Sequence, residues 1–365
     1  MQDNRKIGLD IVRSIAILSV VVLHLVIPYG IFFKKNVAWI PIPDGVDIFF
    51  VLSGFLIGGI VLKTFEDNKT SNKTIVEFWI MRWFRTLPNY YLFSLIVFVL
   101  NGFHLPLKNL FFLQNLYKAY PNPFPETWSL CVEEWFYLLF PIGVYFLSNT
   151  ITKKKYYAVL IATIAMLLVS VFIRVHWYYF KYPEHTIQNF LITRSLVITR
   201  LDAIAVGILG AFVKYYHYNL WKKNTIYTFL IGLIFFIFLT VHKTIENPAT
   251  ANFDFYSWNI DFLVYSISII LMFPFLENIN IKNKLLNNFF TNTSLISYSM
   301  YLLHNTILFK IMGMLFLYFN YTNYFMFVIV YMIVLYFLCN IIYKYFEKRF
   351  INYRILFINK YLRSN

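Results

Sequence analysis

Residues 8–26 read GLDIVRSIAILSVVVLHLV, an apolar run long enough to cross a bilayer at about 1.5 Å of rise per residue. Arg13 and His24 interrupt it. They stand eleven positions apart, which at about 100° per residue is about three turns plus 20°, so they share one helix face. Along the axis they lie about 16 Å apart, one in each half of the membrane. A guanidinium or imidazole held in hydrocarbon needs a partner or a water-filled cavity, which makes each a candidate functional residue. The plain alternative is an arginine that snorkels to the headgroups and a histidine that packs with one hydrogen bond.

Working outward, the chain has 365 residues, 59% hydrophobic and only 13% charged, and its mean hydropathy is +0.61. That balance excludes a soluble domain and predicts an all-α polytopic membrane protein. Apolar runs near 8–27, 45–63, 87–103, 129–148, 156–176, 194–214, 225–242, 257–276, 294–318 and 323–344 predict about ten transmembrane helices around a central cavity. The first run carries Arg13 and no small-residue cleavage site, so it reads as a span and not as a signal peptide.

The formal net charge of +15 could suggest nucleic acid, but the basic residues sit in short connections between spans, where topology explains them. Arg5, Lys6, Lys153, Lys154, Lys155, Lys222, Lys223 and the tail cluster around Lys348 and Arg349 fall on one side. Only Lys34, Lys35, Lys108, Lys118, Lys181 and Lys243 fall on the other. Both termini are therefore expected in the cytoplasm of a cell whose inner, or plasma, membrane holds the protein. Residues 1–344 read as one ten-span unit and 345–365 as a short basic tail on the inner leaflet. The connection 104–128 carries Pro106, Pro121, Pro123 and Pro125, which forbid a long helix and predict an ordered, partly re-entrant loop. Cys131 and Cys339 lie in separate spans, so neither a disulfide nor a metal site is expected.

Polar groups collect in a few places. Asp47 opens the second span as a cap or a site residue, and Ser53, with Gly54, Gly58 and Gly59, gives a small-residue face for close helix approach. Arg82 and Arg85, one turn apart before the third apolar run, read as a positive-inside pair or as a phosphate clamp at the cytoplasmic surface. Trp128, Ser129, Glu133 and Glu134 open the fourth span. The two carboxylates point about 100° apart, so at most one shares a cavity with His24, at whose depth both are expected. A carboxylate there would orient the imidazole for base catalysis. Arg200 and Asp202 neutralise each other or neighbouring spans, while Tyr301 and His304 serve either packing or a site.

Taken together, Leu9-Asp10-x-x-Arg13 with His24, the stretch Gly45-Val46-Asp47-x-Phe49-Phe50-Val51-Leu52-Ser53-Gly54, Arg82-x-x-Arg85, Thr127-Trp128-Ser129-Leu130-x-Val132-Glu133, Arg200-x-Asp202 and Ser297-Tyr298-x-x-Tyr301-x-x-His304 resemble the membrane-bound acyltransferase family 3, in family order over nearly the whole chain. The resemblance implies a ten-span enzyme that moves an acyl group, usually acetyl, from cytoplasmic acyl-CoA to a hydroxyl of a surface or lipid-linked glycan. It implies His24 and Arg13 as the catalytic pair with Glu133, and Arg82 and Arg85 as holders of the CoA phosphates. Acetyl-CoA is then a donor substrate and no cofactor is bound permanently. The extracytoplasmic SGNH domain of many members is not seen, so a stand-alone enzyme is expected, acting directly or with a separate extracytoplasmic transferase. His24 is left as general base or transient acyl carrier. Intramembrane Arg, His and Glu also build proton relays, so a proton-coupled exporter of a lipid-linked sugar is the alternative, and a structural subunit of an export complex a third.

Overall fold

Gly54 and Gly207 mark a close approach of two helices: a Cβ on Gly54 would lie 2.0 Å from the Ile204 carbonyl oxygen, and one on Gly207 2.1 Å from that of Val51. These contacts join α2 (Gly45–Glu66) to α8 (Leu201–Tyr216). The architecture is a computed structural model that describes residues 5–33, 40–66, 72–119, 122–152, 155–245, 254–319 and 323–361, and all regular structure among them is helical. The chain is thus an all-α polytopic membrane protein. Around that seam stand α1 (Ile7–Phe33), α3 (Asn72–Leu100), the short α4 (Leu107–Leu110), α5 (Trp128–Thr150), α6 (Lys155–His176), α7 (Ile187–Ser195), α9 (Tyr218–Lys222), α10 (Thr225–Ile245), α11 (Asp261–Leu276), α12 (Lys284–Leu303), α13 (Lys310–Tyr318), α14 (Tyr324–Ile342) and α15 (Lys348–Tyr361). At the centre, α2 touches α1, α5, α6, α8 and α11.

Nine helical stretches among the described residues are long and apolar enough to cross a membrane. The tenth is α8, whose sixteen residues are too few to span alone. The run expected at 194–214 breaks into the end of α7, a 3-10 turn at Val197–Thr199 and α8. Burial of nearly the whole first three turns of α8 among α2, α6 and α11 shields it from lipid. Three other boundaries also move. The third span begins at Asn72, not 87, because Arg82 and Arg85 in its first half turn toward the cavities of the bundle. The ninth begins at Lys284, not 294, and passes through a π-helical turn at His304–Phe309 into α13. The last helix runs on through a second such turn, Tyr343–Glu347, so the expected tail is helical to Tyr361 and packs along α3. The connection 104–128 is ordered where described: Tyr90 donates to the Asn109 carbonyl (2.5 Å), and Trp135 Nε1 to that of Phe112 (2.8 Å).

The seam is also charged. Asp47 pairs with Arg200, and Arg174 with Asp202 at 2.7 Å, all four side chains fully buried. The guanidinium of Arg200 lies 4.2 Å from the Phe262 ring centroid. Asp47 is therefore not the cap of α2. Asp44 is, with its Oδ1 accepting from the backbone N–H of Val46 (3.2 Å) and Asp47 (3.4 Å). Burial raises the Asp44 carboxyl, but Arg194, Lys243 and Arg200 outweigh it and hold it below the ordinary value of 3.8. Its stabilisation is present above that value and lost as pH falls through the lowered one.

Removing one partner of a buried ion pair strands the other charge, at about 3–5 kcal/mol. Arg200→Met is expected to lower the melting temperature of the detergent-solubilised protein sharply, and adding Asp47→Leu to recover much of the loss. Gly207→Val, which forces a side chain into a backbone, is expected to cost at least about 1–3 kcal/mol in the same assay.

Candidate functional site

Two chambers follow one another through the bundle. The outer, of ≈ 890 Å³, opens at the end where Arg5, Lys6, Lys214, Glu277 and Arg354 lie. The inner, of ≈ 100 Å³, is lined by Ser53, Arg82, Thr86, Ser129, Glu133, Tyr137 and Tyr301, among others. Arg13, Leu56 and Arg85 border both and form the neck between them. Five helices position these groups: α1 presents Arg13, α2 Ser53 and Leu56, α3 the two arginines, α5 Ser129 and Glu133, and α12 Tyr301.

Arg82 and Arg85 lie in the third and fourth turns of α3, where they face the inner chamber and its neck instead of forming the surface pair that the sequence predicts. Aromatic rings make this tolerable, with the Arg82 guanidinium 5.8 Å from the Tyr137 centroid and 5.9 Å from that of Phe78. Glu133 faces the same three arginines and accepts from Ser53 Oγ at 2.6 Å. It does not sit beside His24. Since α5 starts at Trp128, Ser129 comes level with Tyr301, and Glu133 falls one turn further toward the arginines. Glu134 is buried on the neighbouring face and does not border the chamber. Trp128 packs edge-on to Phe50 with Arg194 5.5 Å from its ring, and Asp47, Arg200 and Asp202 face the α2–α8 seam.

His24 lies beyond Tyr301, and its ring partner is another histidine: His304 Nε2 is 3.2 Å from His24 Nδ1. The hydrogens follow from the neighbours. His304 Nδ1 lies 2.7 Å from the Tyr301 carbonyl oxygen, to which only an N–H can donate, so the Nε2 of a neutral His304 is an acceptor. His24 Nδ1 lies 2.9 Å from the Val20 carbonyl and therefore also carries hydrogen, shared with His304. The lone pair of a neutral His24 is then on Nε2. Tyr301 OH donates to the Glu126 carbonyl (2.8 Å), so Ser129 Oγ donates to Tyr301 (2.6 Å). The carboxylate of Glu126 in turn accepts from Thr306 N–H (2.9 Å) and Oγ1 (2.6 Å), fixing the turn that carries His304.

Sequence reasoning missed Tyr137 and Thr86 on the chamber wall, and the Glu126–Thr306 clamp. Tyr137 had a signal, since it stands four residues after Glu133 on one helix face. The clamp joins residues 180 positions apart and had none.

A family model described as an acyltransferase domain matches residues 6–344. The peptidoglycan O-acetyltransferase OatA of Listeria monocytogenes is 33% identical over 156 residues, 37% of this chain and 23% of that protein. YrhL of Bacillus subtilis, named provisionally as a peptidoglycan O-acetyltransferase, is 33% identical over 167 residues, 39% of this chain and 25% of its own. A protein of Staphylococcus aureus strain COL, named provisionally as an O-acetyltransferase, is 26% identical over 326 residues, 81% of this chain and 50% of its own. The chain thus spans half or less of the length of these relatives. No solved structure matches it. With its motifs brought to two joined chambers and the family match running almost end to end, the chain belongs to the acyltransferase family 3.

Proposed function

We propose that this protein is an integral-membrane O-acyltransferase that takes an acyl group, acetyl in the first instance, from acyl-CoA on the side of its termini and passes it to a glycan hydroxyl reached from the opposite face. One observation carries the reading: a cationic vestibule, an arginine neck and a narrow, mostly apolar chamber follow one another as far as Tyr301, whose ring packs 5.7 Å from that of His304, the partner of His24. A nucleotide suits the ≈ 890 Å³ vestibule, while the ≈ 100 Å³ chamber admits only a slender chain such as pantetheine with its acyl group. The lysine and arginine distribution supports a cytoplasmic donor side in the plasma membrane. The names of the relatives support a glycan acceptor.

In the step we propose, His24 Nε2 takes the proton of the acceptor hydroxyl as its oxygen attacks the thioester carbonyl. The carbon–sulfur bond breaks, the acyl group stays on the glycan oxygen, and the imidazolium returns its proton to the departing thiolate. His304 holds the Nδ1 hydrogen of His24 in place, and Glu133 balances the arginines that border the chamber. Arg13 and Arg85 steady the donor at the neck. A separate extracytoplasmic transferase would be needed only if the glycan cannot reach His24 itself.

The test is transfer from acetyl-CoA by the purified full chain in nanodiscs, with glycan acetylation followed by mass spectrometry. His24→Ala is expected to lower the rate by about 10²–10⁴-fold while acetyl-CoA still binds. Full glycan acetylation by His24→Ala at normal expression would overturn the reading, as would a wild-type protein that binds no acetyl-CoA, the behaviour of an exporter.

A further inference from the structure

The family match ends at residue 344, yet the next helix builds one wall of the vestibule. Glu347, Ile351, Arg354 and Ile358 recur at helical spacing along one face of this segment. The first three border the cavity and Ile358 is buried. The segment is firmly rooted: Glu347 accepts from Asn89 Nδ2 (2.8 Å) on α3 and Ser299 Oγ (2.9 Å) on α12, both fully buried. From there α15 lies along α3, with Tyr353 and Phe357 against Phe84 at 6.5 and 5.5 Å between centroids. Arg354 donates to the Met81 carbonyl at 2.9 Å, one position before Arg82.

The charges of this cavity do not balance. Its cations are Arg5, Lys6, Arg13, Arg85, Lys214 and Arg354, and its carboxylates Asp10, Glu277 and Glu347. Each carboxylate is already engaged, Asp10 by Arg5 (2.5 Å) and Ser294 (2.6 Å), Glu277 by Lys214 (2.6 Å) and Lys6 (3.2 Å), and Glu347 as above. Among the described residues Arg13, Arg85 and Arg354 make no ion pair. Guanidinium groups gathered on one cavity without a directly paired carboxylate repel one another, and the arrangement is stabilised by a multiply charged anion. Paired N–H donors suit phosphate in particular. Arg354 is preset for this role: the bond to Met81 fixes its guanidinium, and its shielded Nε has no hydrogen-bond partner.

We infer that α15 is part of the donor site and that Arg354 takes a phosphate of the nucleotide end of the acyl donor, an inference that rests on acyl-CoA being that donor. The experiment compares the full-length wild type with Arg354→Gln, Arg354→Lys and Ile351→Glu, each checked by thermal melting, in nanodiscs of phosphatidylcholine. The donors are acetyl-CoA and acetyl-pantetheine, the same thioester without phosphates. Losing a charge-assisted contact is expected to raise the KM for acetyl-CoA roughly tenfold to hundredfold in Arg354→Gln with kcat little changed. Arg354→Lys recovers part of this, and Ile351→Glu, which brings a negative charge to the same wall, raises the KM in the same way should Arg354→Gln fold poorly. Acetyl-pantetheine is used equally by all four. An unchanged KM for acetyl-CoA, or an equal rise for both donors, overturns the inference while leaving the acyltransferase reading intact. An effect seen only when phosphatidylglycerol is added overturns it in favour of a lipid headgroup. A wild type that turns over acetyl-pantetheine but not acetyl-CoA, or neither, overturns the donor reading itself.

Discussion

Two buried ion pairs, Asp47 with Arg200 between α2 and the start of α8, and Asp202 with Arg174 between α8 and α6, fix the packing at the centre of the molecule, and the rest is arranged around α2. Charges at 0% exposure in an apolar bundle persist only in partnership, because neither water nor lipid can solvate them there. Asp47 stands in the first turn of α2 and Arg200 just before α8, so their pair registers these two helices at one end, while Asp202 in the first turn of α8 ties that helix to α6 through Arg174. Gly54 and Gly207 then let the backbones touch further along. With α2 held this way, Ser53 and Leu56 arrive at the inner chamber and its neck.

The same chemistry is used in opposite senses at the two ends. Near the start of α2, arginines meet carboxylates one to one: Arg200 with Asp47, Arg174 with Asp202, Arg194 with Asp44. Around the vestibule and neck, carboxylates are held by other groups, and Arg13, Arg85 and Arg354 are left facing a cavity. The first arrangement stabilises the fold; the second stores a demand for an anion. Between them lies an uncharged relay of hydrogen bonds, Ser129 to the Tyr301 hydroxyl, His304 to the Tyr301 carbonyl and His24 to His304, in which each donor has a defined acceptor.

Some of this was legible in the chain. Length and hydropathy settle the class, because twenty apolar residues can do little else than cross a membrane. The shared face of Arg13 and His24 follows from helical periodicity alone, and Arg13 does reach the chambers. Helix ends were misread wherever polar residues face protein instead of water. Arg82 and Arg85 looked like a surface pair because hydropathy cannot tell a guanidinium against Tyr137 from one in solvent. The break before α8 was hidden for the same reason, since Arg200 resembles any residue at a span edge until Asp47 is beside it.

What the sequence determined by itself is what depends on neighbours a few residues away: an all-helical membrane chain, the faces of its helices, and the inventory of intramembrane charges. Which charges pair was decided only by tertiary structure, because Asp47 and Arg200, or Glu126 and Thr306, lie more than a hundred residues apart and are joined by the path of the whole bundle. That path placed Glu133 with three arginines and gave His24 a second histidine as its partner. It also brought a helix from beyond the matched segment to the mouth of the site. Local periodicity orients a side chain about its own helix axis, and only the packing of helices against one another decides what it then meets.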